Sequence, residues 1–95
     1  MAAKAEAAVR RMAEGATRVD LMYAGIDDEG TAKIAEELGK NATVEVLYLG
    51  SNQIGVAGAA RLAGALRENT TLKMLDLRDN AGLLRTGRRR RRACL

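Results

Sequence analysis

Asp20, Tyr48 and Asp76 follow one another at an interval of 28 residues. An aromatic ring flanked by two carboxylates is recognition chemistry. Aromatic residues concentrate binding energy at protein interfaces, and carboxylates meet Lys or Arg of a partner. Catalysis has far less to draw on. The chain holds no His and one Cys, Cys94, and no Ser stands beside a base, so a nucleophile with its base cannot be assembled. A lone cysteine also excludes an intramolecular disulfide and a cysteine-built zinc site. The acidic trio Asp27, Asp28 and Glu29 is explained by negative charge at a helix N-terminus.

The second charged feature is the run Arg88, Arg89, Arg90, Arg91 and Arg92. Consecutive guanidinium groups attract phosphate, acidic protein or an anionic membrane surface, and such runs also serve as nuclear-import signals. No aromatic residue is interleaved with them, so the stacking of a dedicated single-strand binder is absent. The run reads as a nonspecific basic tail, and nucleic-acid binding is not expected except through it. It also distorts the overall charge. The chain carries +4, but residues 1–84 hold ten basic and twelve acidic side chains, a net of −2.

These residues must be positioned by a core without Phe or Trp and with only Tyr23 and Tyr48 as aromatics, although 47% of the chain is hydrophobic. Leu, Ile, Val, Met and many Ala therefore make closely packed layers. Ten Gly and no Pro suit a folded chain with tight corners. The opening stretch MAAKAEAAVRRMAEG has scattered charges and no continuous apolar run, so it is neither a secretory signal nor a membrane span. Cys94 stands second from the end, where prenylation needs the fourth. The expected setting is cytoplasmic, or nuclear through the arginine run.

The positioning device is an internal repeat. Laying residues 19–46 over 47–74 gives eight identities: Leu21/Leu49, Ile26/Ile54, Gly30/Gly58, Ala32/Ala60, Ala35/Ala63, Leu38/Leu66, Asn41/Asn69 and Thr43/Thr71. A third copy starts at Leu72 and runs through Leu75, Leu77 and Asn80. Each copy opens with alternating apolar residues, as in VEVLYLGSN, the period of a short strand buried on one face. It continues with the helical spacing of Ile34, Ala35 and Leu38, or Leu62, Ala63 and Leu66. Strand, helix and parallel strand form a right-handed crossover, so the copies stack as a curved parallel sheet with helices outside. The first fourteen residues, with Val9 and Met12 as an apolar stripe, predict a lead-in helix covering the first strand. The two sequons Asn41-Ala-Thr43 and Asn69-Thr-Thr71 lie one repeat apart and are explained as turn and cap chemistry.

The segment LYLGSNQIGVAGAARLAGALRENTTL resembles one full leucine-rich repeat of the ribonuclease-inhibitor class, the kind found in innate immune receptors and the Ran GTPase-activating protein. LMYAGIDDEGTAKIAEELGKNATV resembles a more degenerate copy. The resemblance implies a buried asparagine ladder at the turn after each strand, with Asn52 and Asn80 in that position. Ala24 stands there in the first copy, and Gly82 replaces the expected Ile in the third. No functional residue of the GTPase-activating relatives maps onto a matching local motif.

The reading that follows is an α/β leucine-rich-repeat solenoid with its sheet on the concave side and helices on the convex side. Residues 1–15 form a capping helix, 16–84 about two and a half repeats, and 85–95 a basic disordered tail. The expected function is non-enzymatic protein binding on the concave face, without a cofactor or metal. Between the inward positions, Arg18, Asp20 and Met22 line the first strand, Val46, Tyr48 and Gly50 the second, and Met74, Asp76 and Arg78 the third. Tyr23, Ser51 and Asp79 stand at the turns beyond. The alternatives are a small-GTPase regulator and a fragment whose arginine tail binds nucleic acid or directs nuclear import. The partner is a protein of unknown identity, and the open edge of the last strand invites self-association.

Overall fold

A computed structural model describes residues 3–80. The elements in order are α1 (Ala3–Ala13), β1 (Arg18–Asp20), α2 (Asp28–Lys40), β2 (Val46–Tyr48), α3 (Val56–Glu68) and β3 (Met74–Asp76). The strands form one parallel sheet in the order β1-β2-β3. Its register places Arg18, Val46 and Met74 side by side, then Val19, Leu47 and Leu75, then Asp20, Tyr48 and Asp76. The 28-residue sequence interval is therefore the register of the sheet. The arginine run Arg88 to Arg92, the boundary at residue 85 and Gly82 lie outside the described residues.

The alternation read from the strands sets their burial. Val19, Leu47 and Leu75 are closed from solvent on the helical side, and Leu21, Leu49, Ile26 and Ile54 extend the same core around the turns. From the helices come Ile34, Leu38 and Leu62, all buried. Each such side chain contributes about 1.5–3 kcal/mol on removal from water. With no large aromatic available, the helix-to-helix contact is made by small residues. A Cβ on Gly30 would lie 3.3 Å from Ala5 Cβ, and one on Gly39 would lie 3.9 Å from Ala65 Cα. Ala5 and Ala8 are buried together with Met12 in α1.

Helix α1 forms where the N-terminal composition predicts it, but its main contact is different from the one expected. It packs chiefly along α2, with only a minor contact to β1. The Ala5–Gly30 approach and the weak Lys33–Glu6 ion pair at 3.9 Å both belong to that helix pair. The reason lies in its apolar stripe: Ala5, Ala8 and Met12 suit a close helix–helix layer.

Capping links the repeats. Asp27 caps α2, its Oδ1 accepting the Gly30 N–H at 2.9 Å. Gly55, the N-cap of α3, makes no side-chain cap. Asp28 supplies it from the preceding repeat, with Oδ1 accepting the N–H groups of Gly55 at 2.7 Å and Gly58 at 2.9 Å. Two of the acidic trio, Asp27 and Asp28, thus serve two helix N-termini. At the opposite corner, the Asn41 amide donates to the Met12 carbonyl at 2.9 Å, and its Oδ1 accepts the N–H groups of Thr43 and Val44. Asn69 does the same one repeat on, donating to the carbonyls of Leu38 and Asn41 and accepting from Thr71 and Leu72. The sequon asparagines are structural staples whose amide nitrogens are already engaged.

Candidate functional site

The sheet face turned away from the helices carries the candidate residues. On this face Arg18 and Asp20 are exposed, while Met22, Val46, Tyr48 and Met74 are half-buried. The structure brings Asp20, Tyr48 and Asp76 into one row, as their spacing predicts. Their environments differ, however, from a ring standing open between two open carboxylates.

Tyr48 is covered in part by Arg18, whose guanidinium carbon lies 5.4 Å from the ring centroid. A cation over an aromatic face at that range contributes about 0.5–1 kcal/mol at an exposed site. Asp76 is only 3% exposed. Its Oδ1 accepts the Arg78 N–H and Nε, each at 3.0 Å, and its Oδ2 takes the Arg78 terminal nitrogen at 2.8 Å. Such a bidentate, charge-assisted pair directs both groups at one another. Asp20 is the exposed carboxylate of the row, and its Oδ1 accepts the Met22 N–H at 3.1 Å.

The two aspartates therefore do the same local work. Each closes the end of its strand on the N–H two residues later, an Asx turn. Tyr48 breaks that pattern, because a phenol ring offers no carboxylate to the Gly50 N–H. Gly50 itself is buried: a Cβ there would lie 3.2 Å from the Arg78 carbonyl and 3.5 Å from Met22 Cε. Met22 and the Arg78 backbone so flank Gly50, two residues past Tyr48.

Just past the strands, Tyr23, Ser51 and Asp79 all have left-handed backbone, with φ of 57°, 57° and 61°. The Tyr23 N–H donates to the Gly50 carbonyl and the Ser51 N–H to the Arg78 carbonyl, continuing the strand ladder. The conformation costs an L-residue roughly 1–2 kcal/mol, least for Asn and Asp. Tyr23 bears that cost with its side chain 78% exposed. It is the most open aromatic surface of the described residues.

The turn beneath is held by the asparagine ladder. Asn52 is buried; its Oδ1 accepts the N–H groups of Ala24 and Ile26, and its Nδ2 donates to the carbonyls of Leu21, Leu49 and Gly50. Asn80 repeats the arrangement, accepting from the Ile54 N–H and donating to Leu49 and Leu77. In the first copy, where Ala24 stands at the asparagine position, Asn52 reaches back to the turn. Two features of the face are not carried by the strand pattern: the Arg18–Tyr48 stacking and the closure of Asp76 by Arg78. The Asp-x-Arg spacing of the latter was its available signal.

Among the described residues no group of acidic, histidine or cysteine side chains could hold a metal ion. None of their helices is long and apolar enough to cross a membrane.

Comparison with known proteins agrees with this architecture. A solved structure described as leiomodin-1 actin-binding site 2 is similar to the chain, with a TM-score of 0.64 and 20% sequence identity. The match covers 84% of this chain and 63% of that structure, so the chain spans less than two thirds of its length. No curated protein matches. The family model described as Leucine Rich repeat matches residues 17–35, 40–63 and 68–83. These three segments follow the 28-residue repeat and cover more than half of the sequence, and on that ground the chain belongs to the leucine-rich repeat family.

Proposed function

We propose that this chain is a non-enzymatic protein-binding module that engages its partner on the sheet face, the concave side of a right-handed solenoid of the ribonuclease-inhibitor type. The observation carrying the proposal is Tyr48. The repeat places a turn-closing aspartate at positions 20 and 76, and at 48 it forgoes that bond in favour of an aromatic ring. Sites that depart from a local structural rule without a compensating gain are where function is to be sought. Tyr23 adds an exposed ring in a costly conformation to the half-buried ring of Tyr48, and strain of that kind gathers at functional positions. Asp20 and Arg18 give polar orientation, and α1 caps the N-terminal end of the stack.

The first partner to test is actin, because the structurally similar leiomodin-1 segment is described as an actin-binding site. Cosedimentation with filaments and size-exclusion with monomeric actin are run beside affinity capture with mass spectrometry. Tyr23→Ala and Tyr48→Ala are compared with Ala60→Glu on the exposed helical face. The expected result is loss of the captured protein with the tyrosine variants and its retention with Ala60→Glu. Equal retention by all three sinks the sheet-face assignment. A small-GTPase regulator rests on the shared repeat alone; stimulated GTP hydrolysis would favour it instead.

A further inference from the structure

Asp20 and Asp76 hold the same place in the first and third copies, and each accepts the backbone N–H of the residue two positions on. The two carboxylates differ in what covers them. Arg78 folds back on Asp76, donating from Nε to Oδ1 at 3.0 Å and from its terminal nitrogen to Oδ2 at 2.8 Å, and Asp76 is left 3% exposed. In the first copy the place of Arg78 is held by Met22. A thioether has no proton to donate, and the end of the Met22 side chain lies beside Gly50, with Cε 3.5 Å from where a Cβ would stand. The cation of that strand, Arg18, lies over the Tyr48 ring. Asp20 is therefore exposed with its Oδ1 on the Met22 N–H, and among the described residues it has no ion-pair partner.

We propose, resting on the sheet face as the binding surface, that Asp20 anchors an arginine of the protein partner, whose guanidinium takes in the first copy the place that Arg78 takes in the third. Two observations favour arginine. First, the strand and the turn that present the carboxylate are the same at both positions, so the fork seen on Asp76 is available on Asp20. Oδ1 of Asp76 carries two donors, the Arg78 N–H and Nε. The Met22 N–H thus leaves Oδ1 of Asp20 room for a second, and Oδ2 accepts no hydrogen bond from the described residues. Two parallel N–H bonds to one carboxylate are what a planar guanidinium supplies, and an ammonium, a point charge, does not span both oxygens in that way. Second, Met22 and Tyr23 follow Asp20 directly, the first half-buried and the second 78% exposed. A thioether and an aromatic ring suit the methylenes and the flat face of an arginine. The same chain therefore shows the pair complete at one end of the sheet and half of it at the other.

The probe is a pool of short fluorescent peptides with a central arginine between randomised apolar residues, titrated with the full chain and read by anisotropy. Matching pools carry citrulline, which keeps the shape and loses the charge, or lysine. The arginine pool should bind about tenfold more tightly than either. Asp20→Asn keeps an oxygen for the Met22 N–H, so the turn remains, and it should weaken the arginine pool to the level of the citrulline pool. Met22→Arg rebuilds the Asp76–Arg78 pair within the first copy. It should melt no lower than the parent chain and block the arginine pool as Asp20→Asn does, whereas Met22→Leu should leave binding in place. Equal binding of all pools, no binding of any, or arginine binding that Asp20→Asn and Met22→Arg leave intact would overturn the assignment of Asp20. Peptides that bind without preference for arginine and are lost in Tyr48→Ala would overturn it while leaving the sheet face as the binding surface. Failure of the sheet face itself is read separately, as partner capture that survives both Tyr23→Ala and Tyr48→Ala.

Discussion

Replacing Asn52 by alanine removes an amide that two repeats share. Its Oδ1 holds the N–H groups of Ala24 at 2.9 Å and Ile26 at 3.0 Å, and its Nδ2 reaches the carbonyls of Leu21 at 2.8 Å and Leu49 at 2.9 Å. Of these, the Leu49 carbonyl keeps a second donor, Asn80 Nδ2 at 3.1 Å. The Ala24 and Ile26 N–H groups and the Leu21 carbonyl do not gain a replacement from alanine. An unsatisfied buried polar group costs about 1–3 kcal/mol. Some of this is relieved at half-buried Ala24, where water can enter, so the loss is about 3–5 kcal/mol. A domain of this size has a total stability of roughly 4–12 kcal/mol. Asn52→Ala should therefore take most of it. Asn80→Ala, which frees the Ile54 N–H while Leu49 keeps Asn52, should cost about 1–2 kcal/mol. Urea unfolding followed by circular dichroism reads both. With a slope near 1 kcal/mol/M, the Asn52→Ala midpoint falls by about 3 M or the variant is unfolded in water. Asn52→Asp separates the two halves of the amide, because it keeps the acceptor and loses the donors. A shift below about 1 kcal/mol for Asn52→Ala would refute the claim that this side chain holds the first turn.

Further outcomes follow from the caps and the turns. Asp28→Ala should destabilise the chain by about 1–2 kcal/mol, the range for losing a helix N-cap, although Asp28 belongs to the preceding repeat. Gly58→Ala should also destabilise, despite alanine's better helix propensity, because its Cβ would lie 2.6 Å from Asp28 Oδ1 and 3.0 Å from Ile54 Cγ2. The double variant should cost less than the sum of the two, and strict additivity in denaturation would show that the carboxylate is not what Gly58 makes room for. Tyr23→Asn should raise the melting temperature through relief of about 0.5–1 kcal/mol at a left-handed position, while weakening partner capture. An unchanged or lower melting temperature would show that the ring stabilises its turn.

The repeat was legible because hydrophobic period and sheet register are the same quantity here. Val19, Leu47 and Leu75 align in space since they align in sequence, and the helical stripe of Ile34, Ala35 and Leu38 is buried as its spacing predicts, whereas of Leu62, Ala63 and Leu66 at the same spacing only Leu62 is fully buried. The face of the sheet was legible in position and not in environment. Period-two alternation places Asp76 on the outer face, but its closure by Arg78 depends on a side-chain rotamer that no periodicity encodes. The same holds for Arg18 over Tyr48. The chief neighbour of α1 was not legible, because an apolar stripe in a lead-in helix suits either a strand or a helix. Asp28 was read as charge near its own helix. Its actual bond goes to residues 27 and 30 positions away, a distance visible only once the 28-residue register is laid out in three dimensions.

The bonds between repeats have a direction, and it explains why no single repeat is complete. Asn41, Asn52, Asn69 and Asn80 each reach back to backbone groups of the preceding unit. Asp28 reaches forward, to the helix whose own N-cap is a glycine. A 28-residue unit in isolation would therefore leave a turn without its acceptor, a helix end without its donor and one face of its helix stripe in water. In a stack whose stability is the sum of unit terms and neighbour terms, this places most of the favourable free energy in the neighbour terms. Folding should be cooperative across all three strands. The residues free to vary without loss of that cooperativity are those on the outer sheet face, where Asp20 and Tyr48 already differ at one structural position. The repeat thus separates the residues that hold it together from the residues that can be altered to recognise a partner, and Tyr48 lies on the second side of that division.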